Sequence, residues 1–182
     1  MKTIKLLLIL TATLIFATAC LQSGEQKSAA DASPAGAPMA IPADVSCGVC
    51  GMFPARYPEW QTQIIFTDNK MVPFDGGKDM FKYLLMMGKF DTVHTREDVS
   101  MIWVKDFISG SWFDGKKATY VAGSGQMGPM GKELIPFENP ADAAKFQASN
   151  GGTIHTFSEV TMDLVSTLGM GGMKMKMGQG SM

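Results

Sequence analysis

The sequence predicts an α+β fold of two ββαβ repeats, each antiparallel sheet covered by its own helix. Three observations predict it. Short apolar runs alternate with turn residues and with two helix-length stretches. Residues 71–84 (MVPFDGGKDMFKYL) align with 134–147 (LIPFENPADAAKFQ) at an offset of 63, with eight identical or conservative matches in fourteen positions. The 182 residues are 46% apolar and 18% charged, enough for one core or two small ones.

In the first repeat, Gln61 to Phe66 reads as a strand and Asp68-Asn69-Lys70 as a hairpin turn. Met71 to Phe74 is the returning strand. Asp75 can cap a helix that runs to about Met87, with Gly88 past its end. Met80, Phe81, Leu84 and Leu85 give that helix one apolar face. Met101 to Phe107 follows as a strand. In the second repeat, Ala118 to Ala122 and Glu133 to Phe137 are the paired strands. Asn139 is an N-cap with Pro140 at the first helical position, and the helix stops at Asn150-Gly151-Gly152. Thr153 to Val160 closes the sheet. The halves divide as about 45–110 and 111–165.

Residues 1–19 read as an address. Lys2 and Lys5 precede 14 uncharged, largely apolar residues, Leu6 to Ala19, too few for the roughly 20 that span a bilayer. Ala17-Thr18-Ala19-Cys20 resembles a bacterial lipobox, which makes Cys20 a lipid attachment site. The absence of Asp after Cys20 favours the outer membrane by the same resemblance. The alternative is ordinary cleavage that leaves Cys20 a spare thiol. Residues 20–44, rich in Ala, Ser, Pro, Gly and Gln, read as a flexible tether. Residues 166–182 read as a disordered tail, with five Met among the last fourteen residues. The tail is either a loose thioether collector or a plain solvated extension.

The net charge of -1 gives no electrostatic footprint for nucleic acid. Three Cys cannot build a disulfide scaffold, but 16 Met are several times an ordinary share. Cys47 and Cys50 form C-x-x-C, and Cys50 and Met52 form C-x-M. Four readings compete. Structural zinc usually needs four ligands, and no second Cys pair exists. A thiol–disulfide oxidoreductase wants the pair opening a helix, whereas Gly51, Pro54 and Pro58 argue against one there. A Cys47–Cys50 disulfide would close a tiny loop of small entropic benefit. Thiolate plus thioether instead makes a soft donor set that selects Cu(I).

Met127 and Met130 sit among Gly and Pro (Gly125 to Gly131), so they read as ligands or surface contacts rather than core filler. Met80 reads as packing with ligation as the alternative, and Met86, Met87, Met101 and Met162 as core or its edge. His94 and His155 read as ordinary surface or strand residues. Asp75, Asp79, Glu138 and Asp142 fall at helix starts, where capping explains them. No catalytic triad or phosphate-cradling loop is present in the sequence.

Cys50-Gly51-Met52, Tyr57-Pro58, Phe74-Asp75 with Met80-Phe81, Gly128-Pro129-Met130-Gly131, Ile135-Pro136-Phe137 and Asn150-Gly151-Gly152 together resemble the NosL family. The resemblance runs from about residue 45 to 161. It implies a non-enzymatic, lipid-anchored periplasmic Cu(I) chaperone. The copper would go to the sulfide-bridged centre of nitrous oxide reductase, with an ABC-type maturation complex as partner. It implies Cys50, Met52, Met130 and Met80 as ligands. The extra Cys47 and the Met-rich tail depart from the family's simplest pattern.

Overall fold

The structure is a computed structural model, and it describes residues 36–169. The signal segment, Cys20 and the tail beyond Gly169 lie outside the described residues.

Strands β1 (Thr62–Phe66), β2 (Met71–Phe74), β3 (Val99–Lys105) and β4 (Trp112–Asp114) form one antiparallel sheet in the order β2-β1-β3-β4. Strands β5 (Thr119–Gly128), β6 (Gly131–Phe137) and β7 (Thr153–Thr156) form a second, ordered β6-β5-β7. Helix α1 (Gly77–Leu85) follows β2, and helix α3 (Pro140–Asn150) follows β6. A single turn, α2 (Met87–Phe90), and a C-terminal helix, α4 (Met162–Gly169), complete the chain.

The two ββαβ units share one register. Thr62 faces Phe74 on one side and Val104 on the other. Thr119 likewise faces Phe137 and Thr156. The first strands thus align at an offset of 57 and the second strands at 63, so the second hairpin is longer by six residues. That extra length is an arm beyond the register shift between Ala122 and Met127.

Alternation along the strands divides the cores. Ile64 and Phe66 of β1 turn into the main cluster with Met80, Phe81, Tyr83 and Leu84 of α1. Tyr120, Ala122 and Leu134 of the second sheet enter the same cluster, as do Val165 and Leu168 of α4. Helix α1 therefore lies between the two sheets. The opposite face of the second sheet, Val121, Ile135 and Phe137, packs on Ala143 of α3 with Phe107 and Phe146. Each sheet is covered by its own helix, as the sequence predicts.

Several boundaries differ from the sequence reading. Helix α1 ends at Leu85 because Met86 leaves helical geometry at φ -124, ψ 35. The third strand runs Val99–Lys105, not 101–107, and the closing strand stops at Thr156, where a 3-10 turn begins. Of the Gly- and Pro-rich stretch 125–131, residues 125–128 are the outer part of β5 and Gly131 opens β6. Strand β4 and helix α4 were not legible, and α4 carries order four residues past the expected end at 165. Residues 36–39, expected in the tether, lie against the sheet. The buried Gln63 side chain accepts from Met39 N–H at 2.9 Å and donates to its carbonyl at 3.0 Å. Trp103, beside Gln63 in the register, donates its indole N–H to the Gly36 carbonyl at 2.7 Å.

Candidate metal centre

The C-x-x-C segment is a closed turn lying on β2. Cys47 N–H donates to the Met52 carbonyl at 2.6 Å, and Gly51 N–H donates back to the Cys47 carbonyl at 3.3 Å. Gly48 N–H reaches the Pro73 carbonyl at 3.2 Å, which ties the turn to the sheet. Gly51 holds φ +78, a conformation that favours glycine, and so turns the chain before Met52.

This turn brings both thiols against the start of α1. Cys50 Sγ donates to Asp75 Oδ1 at 3.3 Å, and Cys47 Sγ to Asp79 Oδ2 at 3.6 Å. One donor atom from each of Cys47, Cys50, Asp75 and Asp79 falls within 4.8 Å of the others. Cys47, Asp75 and Asp79 are buried and Cys50 is half-buried. Asp75 Oδ2 is buried with no hydrogen-bond partner, so the cluster retains an unused acceptor.

Burial pushes the Cys47 thiol up to about 11 and Cys50 higher still, and the neighbouring carboxylates add to both shifts. Both are therefore protonated at neutral pH. A cation entering the cluster displaces thiol protons that now point at carboxylates. Reactive disulfide-exchange cysteines need the opposite shift.

The sequence reading of Asp75 as a helix cap is corrected here. The N-cap of α1 is Gly76, and no side chain of the first repeat caps the helix. The cap comes from the other repeat. Glu133 of β6 accepts Lys78 N–H at 2.9 Å. Lys78 Nζ in turn donates to the carbonyls of Met130 at 2.7 Å and Lys132 at 3.0 Å, and lies 3.6 Å from the Glu133 carboxylate. This reciprocal clamp fixes the tip of the second hairpin beside α1. It also leaves Asp75 and Asp79 facing the thiols.

The clamp places Met130 on the wall of a cavity of about 500 Å³, together with Cys50, Asp79 and α4. Of the six sulfur residues predicted from sequence, Cys50 and Met130 line this cavity, and Cys47 joins Cys50 in the cluster. Met52 is half-buried in the same turn. Met80 is fully buried in the core that also contains Cys47. Met127 is 53% exposed on the arm, opposite Lys132. Asp75 and Asp79 are the members that sequence reasoning missed. They supply the second pair of donors whose lack had set a four-ligand site aside. Of the histidines, His94 bridges Asp91 and Asp68, and His155 meets Thr153, so both are engaged away from the cluster.

Comparison with known proteins gives likenesses of the chain in sequence and in fold. The family model NosL matches residues 38–165. The copper-binding lipoprotein NosL of Achromobacter cycloclastes is 37% identical over 59 residues. That alignment spans 32% of this chain and 31% of the relative. The crystal structure of the copper chaperone NosL from Shewanella denitrificans superposes with a TM-score of 0.61 at 24% identity. It is covered to 99% of its length by 71% of this chain, and the likeness speaks for the fold.

Proposed function

We infer the function from the premise that this chain belongs to the NosL family, whose model spans residues 38–165. The chain binds copper as cargo, in the Cu(I) state, and acts as a metallochaperone rather than an enzyme. One observation carries this reading: Cys47, Cys50, Asp75 and Asp79 form one cluster, and its members Cys50 and Asp79 line a cavity together with the clamped Met130. Thiol and thioether donors favour a soft monovalent ion, and the carboxylates add negative charge that favours any cation. Cys50 is the central ligand, with Cys47, Met130 and Met52 available beside it. Met80 and Met127 stand further down the order, one for its burial in the core and the other for its exposure on the arm.

Copper entry releases thiol protons, so affinity rises with pH across the neutral range. An open wall and a low ligand count suit transfer to a partner. We assign the copper to nitrous oxide reductase and its ABC-type maturation complex, which family membership supports. The lipobox at Cys20 and the lipoprotein name of the A. cycloclastes relative support a periplasmic, lipid-anchored location, with the outer membrane as the proposed side. The raised thiols count against thiol–disulfide exchange.

The test is competition for Cu(I) against a chromogenic chelator, with Zn(II) as the second arm. The reduced chain should hold one Cu(I) in preference to zinc, and Cys50→Ala should lose it while keeping its fold. Zinc preference, or full Cu(I) affinity in Cys50→Ala, refutes the assignment.

A further inference from the structure

We propose that the cavity beside Cys50 binds a small anionic thiol, whose sulfur coordinates the copper while its carboxylate pairs with Lys82. This rests on the copper reading above and adds to it the class of ligand with which the copper is exchanged.

The cavity is larger than a metal site needs. Its volume is about 500 Å³, in the range of pockets that take small organic ligands. Helix α4 forms one wall with Met162, Val165, Ser166 and Gly169. Their spacing of three, four and seven residues is one helical face, and the wall runs about 10 Å at roughly 1.5 Å per residue. A single ion bound at Cys50 fills a small part of that space.

The opposite wall carries charge of the wrong sign for a bare cation. Lys78 and Lys82, four residues apart on one face of α1, both line the cavity. The charge of Lys78 is already engaged: its Nζ lies 3.6 Å from the Glu133 carboxylate and donates to the carbonyls of Met130 and Lys132. Lys82 has no ion-pair partner among the described residues, although Asp79 is one turn away. Asp79 accepts the Cys47 thiol instead. Lys82 is half-buried, so its charge is screened less than that of a fully solvated lysine. An ammonium so placed repels a bare cation and attracts an anion.

Size, charge and softness together select the ligand. Copper held by Cys50 and Met130 shares its sphere most readily with another soft donor, a thiolate. Lys82 calls for an anionic group on the same molecule. Val49, Met162 and Val165 offer apolar surface to the carbon chain between the two ends. The exchange balances without an oxidant: the thiol proton passes to water as the sulfur–copper bond forms, and the copper stays Cu(I).

The experiment uses the Cu(I)-loaded full chain in detergent, without oxygen, with mercaptopropionate, mercaptoethanol and cysteamine. These thiols are similar in size and are anionic, neutral and cationic. Each is titrated by calorimetry into the wild type, Lys82→Gln and Lys82→Arg. The sulfur neighbours of copper are counted by X-ray absorption, and the copper left on the chain is measured after gel filtration. Mercaptopropionate should add one sulfur to copper that stays on the chain. Its affinity should fall about tenfold in Lys82→Gln and persist in Lys82→Arg, while that of mercaptoethanol stays the same and that of cysteamine rises. Comparing each thiol between chains cancels its own acidity. An unchanged affinity for mercaptopropionate in Lys82→Gln, or an equal loss for all three thiols, overturns the proposal alone. So does removal of the copper from the wild-type chain by every thiol, since no ternary complex then forms. Propionate that binds as tightly as mercaptopropionate overturns it in favour of a plain anion site. A wild-type chain that takes up no Cu(I) overturns the copper reading together with this one.

Discussion

The two halves share a register and differ in how each begins its helix. In the second half, Glu138-Asn139-Pro140 starts α3. The Asn139 side chain accepts Ala141 N–H at 2.9 Å, and Pro140 occupies the first turn. In the first half, the matching residues are Asp75-Gly76-Gly77, and no local cap forms. The helix is completed instead by Glu133 from the other half. A repeat that caps itself is a closed unit. A repeat that borrows its cap is bound to its neighbour, and its own acids are left for chemistry. The six-residue extension of the second hairpin completes the division, because it carries Met130 to the cavity lined by Cys50 and Asp79. One half is mainly scaffold with an arm, and the other holds the Cys/Asp cluster.

The borrowed cap gives the largest predicted effect. Glu133→Ala should destabilise the chain by about 3 kcal/mol, because it uncaps α1 and takes the carboxylate from beside the buried Lys78, whose Nζ keeps only the carbonyls of Met130 and Lys132. Thermal melting would show a fall on the order of 10 °C. Glu133→Gln keeps an acceptor and should cost less. Burial raises Glu133 from 4.5 to about 7, against the pull of Lys78. Its protonated form is favoured in the folded chain, so this contribution is fully present below pH 4.5 and is lost as pH rises through 7. Stability should fall across that window in the wild type and fall less in Glu133→Gln. A loss under about 0.5 kcal/mol in Glu133→Ala would mean that the halves are not joined through this residue.

Next in size is Gly77. A Cβ there is driven into the Leu134 carbonyl oxygen, which is backbone and cannot step aside. Gly77→Ala should cost about 2 kcal/mol, while Pro140→Ala at the matching exposed position should stay within about 0.5 kcal/mol. Equal costs in a urea titration would remove the distinction between the two helix starts. Smaller again is the local cap of the second half. Asn139→Ala should cost about 1 kcal/mol. Gly76→Asn, which copies that cap into the first half, should gain nothing, because its Cβ would stand 2.8 Å from the Glu133 carboxylate.

The parts of this design that the sequence reveals are those written in side-chain pattern. The duplication, the apolar face of α1, Asn139-Pro140 and the Cys pair all leave local signals. The missed parts are held by backbone or by distant residues. An acid at a helix start looks the same whether it caps the helix or faces a thiol, so Asp75 and Asp79 read as caps. The signal that could have exposed them is the contrast within the repeat: Asn-Pro in one copy, Gly-Gly in the other. The outer part of β5 pairs through backbone across glycines and leaves no hydrophobic trace. Residues 36–39 are held by Gln63 and Trp103 through main-chain groups, so their own composition says only tether. Helix α4 is short and buries only Val165 and Leu168, a three-residue spacing too brief to register as periodic.

The smallest effect concerns the two histidines, one in each half. His94 lies 2.8 Å from Asp91, 3.3 Å from Asp68, and stacks on Phe66 at 3.9 Å between ring centroids. The hydrogen bond to Asp91 leads in raising it above its ordinary 6.5, and Asp68 adds to the shift. A raised histidine stabilises the fold in its charged form. Its contribution is full below 6.5 and is lost as pH rises through the higher folded value. His155 in β7 reaches the Thr153 hydroxyl at 2.7 Å instead of a carboxylate pair. Melting temperatures of His94→Gln, measured from pH 6 to 8.5, read this contribution. His94→Gln should be less stable than the wild type at pH 6, and the gap should narrow toward pH 8.5. A gap for His94→Gln that stays constant with pH would mean that its ring contributes by stacking on Phe66 and not by charge.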